Sequence, residues 1–208
     1  MNKELICEIT EEIALLVNSG FYNTEEIEEI IEEQFIDEDI SHTFISKIVS
    51  EKSDEKLANE EKWETETSFD RLKLAFEDIT SNGIISIHNG GYDLSEGIQD
   101  AFEVFHHLES KKIIAKGFCF YTFQDIEEAI KCEFLNVAFG DFEGEKENRL
   151  AIGNKIVRIL KDHKFSIQWN GDIDTAIKIK PLKWEKRFDN EEYEMEGAFN
   201  SYLKNQER

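Results

Sequence analysis

Apolar residues recur at helical spacing from the start of the chain. Ile6, Ile9, Ile13 and Leu16 form one stripe, and Gly20 stands where a C-terminal glycine would end that helix. Asn23 followed by Glu26 has the form of a capping box. Ile27, Ile30, Ile31 and Phe35 then line a narrow apolar face on a helix that is otherwise glutamate. Phe44, Ile45, Ile48 and Val49 predict a third helix. Residues 50–66 are the most polar stretch, with Trp63 as the strong apolar anchor, and read as a solvated helix or a linker. An acidic helical segment over 1–62 is therefore expected, followed by a second domain.

Beyond residue 62 helical and strand patterns alternate. Ser68 is placed to cap a helix bearing Leu72, Ala75, Phe76 and Ile79, closed by Gly83. A strand over Ile84–His88 follows, and then a glycine elbow. Asp93 and Glu96 suit a capping box before Ile98, Ala101, Phe102, Phe105 and Leu108. Residues 117–121 form an aromatic strand, in which Phe118 and Phe120 should face one way and Cys119 and Tyr121 the other. A short helix carries Ile126, Ala129 and Ile130, residues 135–139 form a strand, and a longer helix carries Ile152, Ile156, Ile159 and Leu160. Phe165, Ile167 and Trp169 alternate up to Asn170-Gly171, and Ile173, Ile177 and Ile179 follow. Asn-Gly in that setting predicts a two-residue type I′ hairpin turn. The fold class is α+β: a mixed sheet of about five strands, with parallel crossovers in front, a C-terminal β-hairpin and packed helices. The α+β domain spans 63–187. Residues 188–208 are a charged tail in which Phe199 and Tyr202 offer anchors for a last short helix.

Charge narrows the partners. The 208 residues carry a formal net charge of −22. Residues 1–60 hold 17 acidic and 4 basic side chains, a net of −13. A field of this sign repels nucleic-acid phosphate and anionic lipid, so direct nucleic-acid or membrane binding is not expected. It suits a basic protein partner, and it also serves solubility. Three widely spaced cysteines, Cys7, Cys119 and Cys132, predict free thiols in a reducing compartment. With no signal-peptide pattern at the start and no run of 18 apolar residues, a bacterial-type cytoplasmic protein is expected.

The candidate chemistry centres on His88, Asn89, Gly90, Gly91 and Tyr92, where a polar, glycine-rich elbow follows an apolar strand. Ligand crevices of open α/β sheets lie at such strand ends. His88 is the candidate acid/base, with Asn89 or Tyr92 orienting a ligand, and the elbow amides are placed to hold a small anion. Against this, Asp93 and Glu96 would repel phosphate, and a tight strand-to-helix connection accounts for the same residues. Cys119 and His88 are a conceivable nucleophile pair, but Cys119 between Phe118 and Phe120 reads as a packed strand position. His106 and His107 are adjacent, and His42 and His163 stand alone. Neither a metal site nor a cofactor is expected. Asp172 and Asp174 read as solvated turn carboxylates. Tyr92, Phe118, Phe120, Tyr121, Trp169 and Trp184 would line an aromatic pocket or binding face if they converged.

Taken in order, Phe69-Asp-Arg-Leu, Gly83-Ile…His88-Asn-Gly-Gly-Tyr92…Gly97, Gly117-Phe-Cys-Phe-Tyr121…Asp125, Ala138-Phe-Gly140 and Gln168-Trp-Asn-Gly171 resemble an uncharacterised bacterial domain-of-unknown-function family. Gly20-Phe-Tyr-Asn-Thr-Glu-Glu-Ile looks like its N-terminal helical part. The resemblance implies a bacterial, cytoplasmic protein and carries no activity. A looser likeness, over Phe165–Gly171 and the helix before it, runs to acidic proteins of the ribonuclease E inhibitor B type. The favoured expectation is a non-enzymatic interaction or inhibitor/immunity-type module with an acidic surface. The alternative is a small-ligand or enzymatic domain using the His88–Tyr92 elbow, and a third reading is a regulatory homodimer built through the glutamate-rich helices.

Overall fold

The computed structural model describes residues 3–206. Met1, Asn2, Glu207 and Arg208, at the outer ends of the expected N-terminal segment and C-terminal tail, lie outside the described residues. Two compact units are present. One contains the chain up to Thr67 together with Glu185–Asn190, and the other contains Ser68–Trp184 and the chain from Glu191 onward.

The first unit is three helices, α1 (Lys3–Ser19), α2 (Thr24–Gln34) and α3 (His42–Glu60). Their apolar stripes meet. Ile9, Ile13 and Leu16 of α1, Ile27 and Ile31 of α2, and Ile45 and Val49 of α3 are buried. Each such side chain contributes about 1.5–3 kcal/mol of transfer free energy. Asn23 caps α2 as its sequence predicts: its Oδ1 accepts from the Glu26 amide at 3.0 Å, and Glu26 Oε2 accepts from the Asn23 amide at 2.7 Å. The polar stretch from residue 50 is helical up to Glu60, within α3, and its Lys56 is buried 3.4 Å from Glu60. The returning segment brings Lys186, also buried, with Nζ 3.3 Å from Asp189 Oδ1 and 4.8 Å from the centre of the Phe21 ring. Gly20 has φ +77°, and a Cβ there would strike the Lys186 backbone, so both its conformation and its contact require glycine.

The second unit is α+β. In chain order it comprises α4 (Ser68–Ser81), β1 (Ile84–Ile87), α5 (Leu94–Ser110), β2 (Gly117–Phe120), α6 (Phe123–Cys132), β3 (Leu135–Gly140), α7 (Lys146–Asp162), β4 (Ile167–Gln168), β5 (Ile177–Ile179) and α8 (Met195–Gln206). The five strands form one mixed sheet in the order β1-β2-β3-β5-β4. Register Ile85↔Phe118 and Ile87↔Phe120 puts these four side chains on one face. There they pack with Ala101, Val104 and Leu108 of α5 and with Ala198 and Tyr202 of α8. On the other face Ser86 donates to the Phe76 carbonyl at 2.9 Å and lies 2.6 Å from Thr80 Oγ1, which ties β1 to α4.

Several local expectations are corrected. Only β1 and β2 run parallel; β3 is antiparallel to β2. The terminal hairpin exists, with Ile167 opposite Ile179, but residues 169–176 all lie in its loop. A type I′ turn needs positive φ at both central residues, and only Gly171 has it. Asp172 instead organises local turns: its Oδ1 accepts from the Asp174 amide at 3.0 Å, and its carbonyl accepts from Trp169 Nε1 and Thr175 Oγ1, each at 3.0 Å. Ser68 lies in the first turn of α4 and donates its hydroxyl to the Lys183 carbonyl. In the expected charged tail, residues 195–206 are the helix α8, anchored by buried Tyr202.

Candidate functional site

The elbow after β1 is built to join two helix starts. Gly90 donates its amide to the Tyr121 carbonyl at 2.9 Å, which extends the β1–β2 pairing by one step. The first amides of a helix lack intrahelical partners. At the start of α6, the Phe123 amide donates to the Gly91 carbonyl at 3.1 Å and the Gln124 amide to the Tyr92 carbonyl at 3.2 Å. Thr122 and Asp125 complete that start as a reciprocal capping box. At the start of α5, Asp93 Oδ1 accepts from the Ser95 and Glu96 amides, and Glu96 Oε2 accepts from the Tyr92 amide at 2.6 Å. The helix N-terminus that would hold an anion is thus filled by this chain's own carboxylates. Gly91 has φ +64°, and a Cβ on Gly97 would meet the Phe120 ring and lie 2.7 Å from the Gly90 oxygen.

The elbow side chains go to different places. His88 is buried, stacked on Phe76 at a ring distance of 4.3 Å, with Phe69, Tyr121 and Tyr193 set edge-on or tilted around it. Its Nδ1 lies 2.7 Å from the Tyr121 hydroxyl. Burial, with a smaller contribution from Tyr193, pushes the Tyr121 phenol well above its ordinary range. Asn89 is buried at positive φ and donates Nδ2 to Glu194 Oε1 at 2.8 Å. Tyr92 points outward, half-exposed, beside the Phe123 ring.

Cys119 is wholly buried, and burial pushes its thiol up, away from the thiolate that a nucleophile needs. Among the described residues no cluster of three or more His, Cys, Asp or Glu side chains is arranged to hold a metal ion. No helix of the described residues is long and apolar enough to cross a membrane. The six aromatics proposed as one pocket are dispersed. Tyr121 meets Trp184, Phe118 meets Phe120, Trp169 packs on Phe139, and Tyr92 stands apart. Phe69 and Tyr193, which complete the setting of His88, come from α4 and from the segment before α8 and give no local signal near the elbow.

The first unit presents a different kind of surface. From Glu4 to Ser46 the sequence has thirteen acidic residues and no lysine or arginine. Glu25, Glu26, Glu29, Glu32, Glu33, Asp37, Glu38 and Asp39 are exposed. His42 lies 2.8 Å from Glu32 and 3.7 Å from Glu28. Ile36 stands in the middle of this stretch with 78 % of its surface exposed. Its position just past α2, where the apolar stripe has ended, leaves it without the burial given to Ile27 and Ile31.

A family model described as a domain of unknown function, DUF6891, matches residues 2–188. No curated protein and no solved structure matches the chain.

Proposed function

The chain belongs to the DUF6891 family, a domain of unknown function, and we propose that it is a non-enzymatic protein-interaction module of the inhibitor or immunity type that offers a carboxylate face to a basic partner. The observation that carries this reading is the stretch 25–39, with eight exposed carboxylates around one outward isoleucine. Carboxylates at the rim steer a cationic partner and set the rate of encounter. Binding energy at such interfaces concentrates in a few desolvated apolar anchors, and Ile36 is placed to be one. A small-ligand or enzymatic role for His88–Tyr92 has less support, because its amides and buried side chains already serve capping and packing.

Replacing Ile36 with the photo-crosslinking residue p-benzoylphenylalanine tests the proposal. Irradiation in cells is expected to capture proteins of basic character. Glu29→Lys/Glu33→Lys/Asp37→Lys in the same background is expected to reduce capture by about tenfold, equivalent to roughly 1.4 kcal/mol. Captured proteins without basic character, or capture unchanged by charge reversal, would reject it.

A further inference from the structure

The end of the sheet opposite the elbow is open. β1 and β2 begin there at Ile84 and Gly117, and antiparallel β3 ends there, with Gly140 opposite Phe118. A cleft of about 510 Å³ lies at this end. Phe105, Phe142 and Ile152 supply its apolar body, and two lysines, Lys116 and Lys155, and two carboxylates, Asp141 and Glu143, line it. Volume and lining fall in the range of small-molecule sites, which are mostly apolar with a few placed polar groups. Asp141 also lines a second cavity of about 260 Å³ beside Phe102 and Phe118.

Asp141 is the unusual member. It is 92 % buried (8 % exposed), and its Oδ2 accepts from the Glu145 amide at 2.9 Å. Its Oδ1 is buried and accepts no hydrogen bond among the described residues. Leaving such an atom unsatisfied costs about 1–3 kcal/mol, more when charged, so its retention between two cavities calls for a donor.

We propose that this cleft binds a small zwitterion, an L-amino acid with an aromatic or branched apolar side chain. The ammonium group donates to Asp141, the carboxylate lies against Lys116 and Lys155, and the side chain occupies the Phe105–Phe142–Ile152 surface. A ligand carrying only an anion would set like charge against Asp141 and Glu143, and one carrying only a cation would set it against the two lysines. Oδ1 is itself buried, so in this proposal the Asp141 side chain turns toward the cleft to meet the ammonium. This site is separate from the acidic face of the first unit and does not depend on a protein partner.

The test is a titration of the full chain, followed by amide chemical shifts, with L-phenylalanine and L-leucine at up to about 10 mM. Phenethylamine and 3-phenylpropionate serve as probes that each lack one charge. Expected are shifts at the Glu145 and Lys116 amides, with L-phenylalanine at least tenfold tighter than either analogue. Asp141→Asn should weaken L-phenylalanine at least tenfold while 3-phenylpropionate, relieved of a like charge, binds no more weakly than before. Lys155→Gln should weaken L-phenylalanine and 3-phenylpropionate while phenethylamine, relieved of a like charge, binds no more weakly than before. Absence of cleft shifts with both amino acids, or undiminished L-phenylalanine binding by folded Asp141→Asn, overturns the proposal. If Asp141→Asn does not fold, unchanged L-phenylalanine affinity in Lys155→Gln overturns it instead.

Discussion

The Tyr121 hydroxyl meets His88 Nδ1 at 2.7 Å inside a shell of aromatic rings, so the most polar group of the elbow is satisfied within the core. Tyr121→Phe removes this partner while keeping the ring. Urea unfolding should show a loss of about 1–3 kcal/mol, the cost of stranding a buried polar atom. An unchanged midpoint would show that the contact contributes nothing.

The same phenol sets an alkaline limit. Its folded pKa is raised by burial, so the folded chain holds that proton longer than the unfolded chain does. Stability should be independent of this group below about pH 10, the ordinary tyrosine range, and fall above it. Tyr202 shifts in the same direction for the same reason. The tyrosinate absorbance of Tyr121, read as the difference between the chain and its Tyr121→Phe variant, should rise together with loss of helical circular dichroism, not before it.

Asp100 gives the opposite edge. Burial, then Glu103, Glu96 and Glu196, raise its carboxyl, so ionisation weakens the fold and the penalty is relieved as pH falls through the raised value. Asp100→Asn should stabilise the chain at neutral pH by a few tenths of a kcal/mol. That gain should vanish below about pH 3, where the carboxyl is protonated in the folded and the unfolded chain alike. Thermal melts at the two pH values check it.

Lys56 and Glu60 form a pair in which each constrains the other. Burial lowers the Lys56 pKa while Glu60 opposes the shift, so Glu60→Gln leaves the ammonium with less compensation. A loss on the order of 1–3 kcal/mol is expected at pH 7. It should shrink as pH rises through the lowered lysine value, because a neutral amine needs no counter-charge. A loss that stays constant with pH would place the effect elsewhere.

Gly97→Ala should be costly for reasons of space. The added methyl meets the fully buried Phe120 ring and lies 2.7 Å from the Gly90 oxygen, and neither can retreat without disturbing β1–β2. About 1–3 kcal/mol of overpacking strain is expected from denaturant unfolding.

Helical stripes were readable because burial repeats along one element: Ile9, Ile13 and Leu16, or Leu72, Phe76 and Ile79, are all in the core. The alternation at Phe118–Tyr121 likewise divides the two sheet faces. Asn170-Gly171 misled because Asp172 and its neighbours draw the chain into other turns. His88 looked like a site because a histidine after a strand is chemically capable, and what surrounds it comes from residues as distant as Phe69 and Tyr193. The cleft gave no sequence signal, since Lys116, Asp141 and Lys155 lie in separate connections and helices. Exposure of Ile36, one residue beyond the C-cap Phe35, is set by where α2 stops.

Lys186 has a consequence for synthesis. The three N-terminal helices leave the ribosome well before the segment 185–190 that lies against Gly20 and Phe21, with residues 68–184 made in between. At ordinary elongation rates that interval is on the order of 10 s. Throughout it the nascent bundle carries an uncovered seam, so its maturation waits on a segment made far downstream, and a fragment ending at Thr67 would carry the same gap permanently.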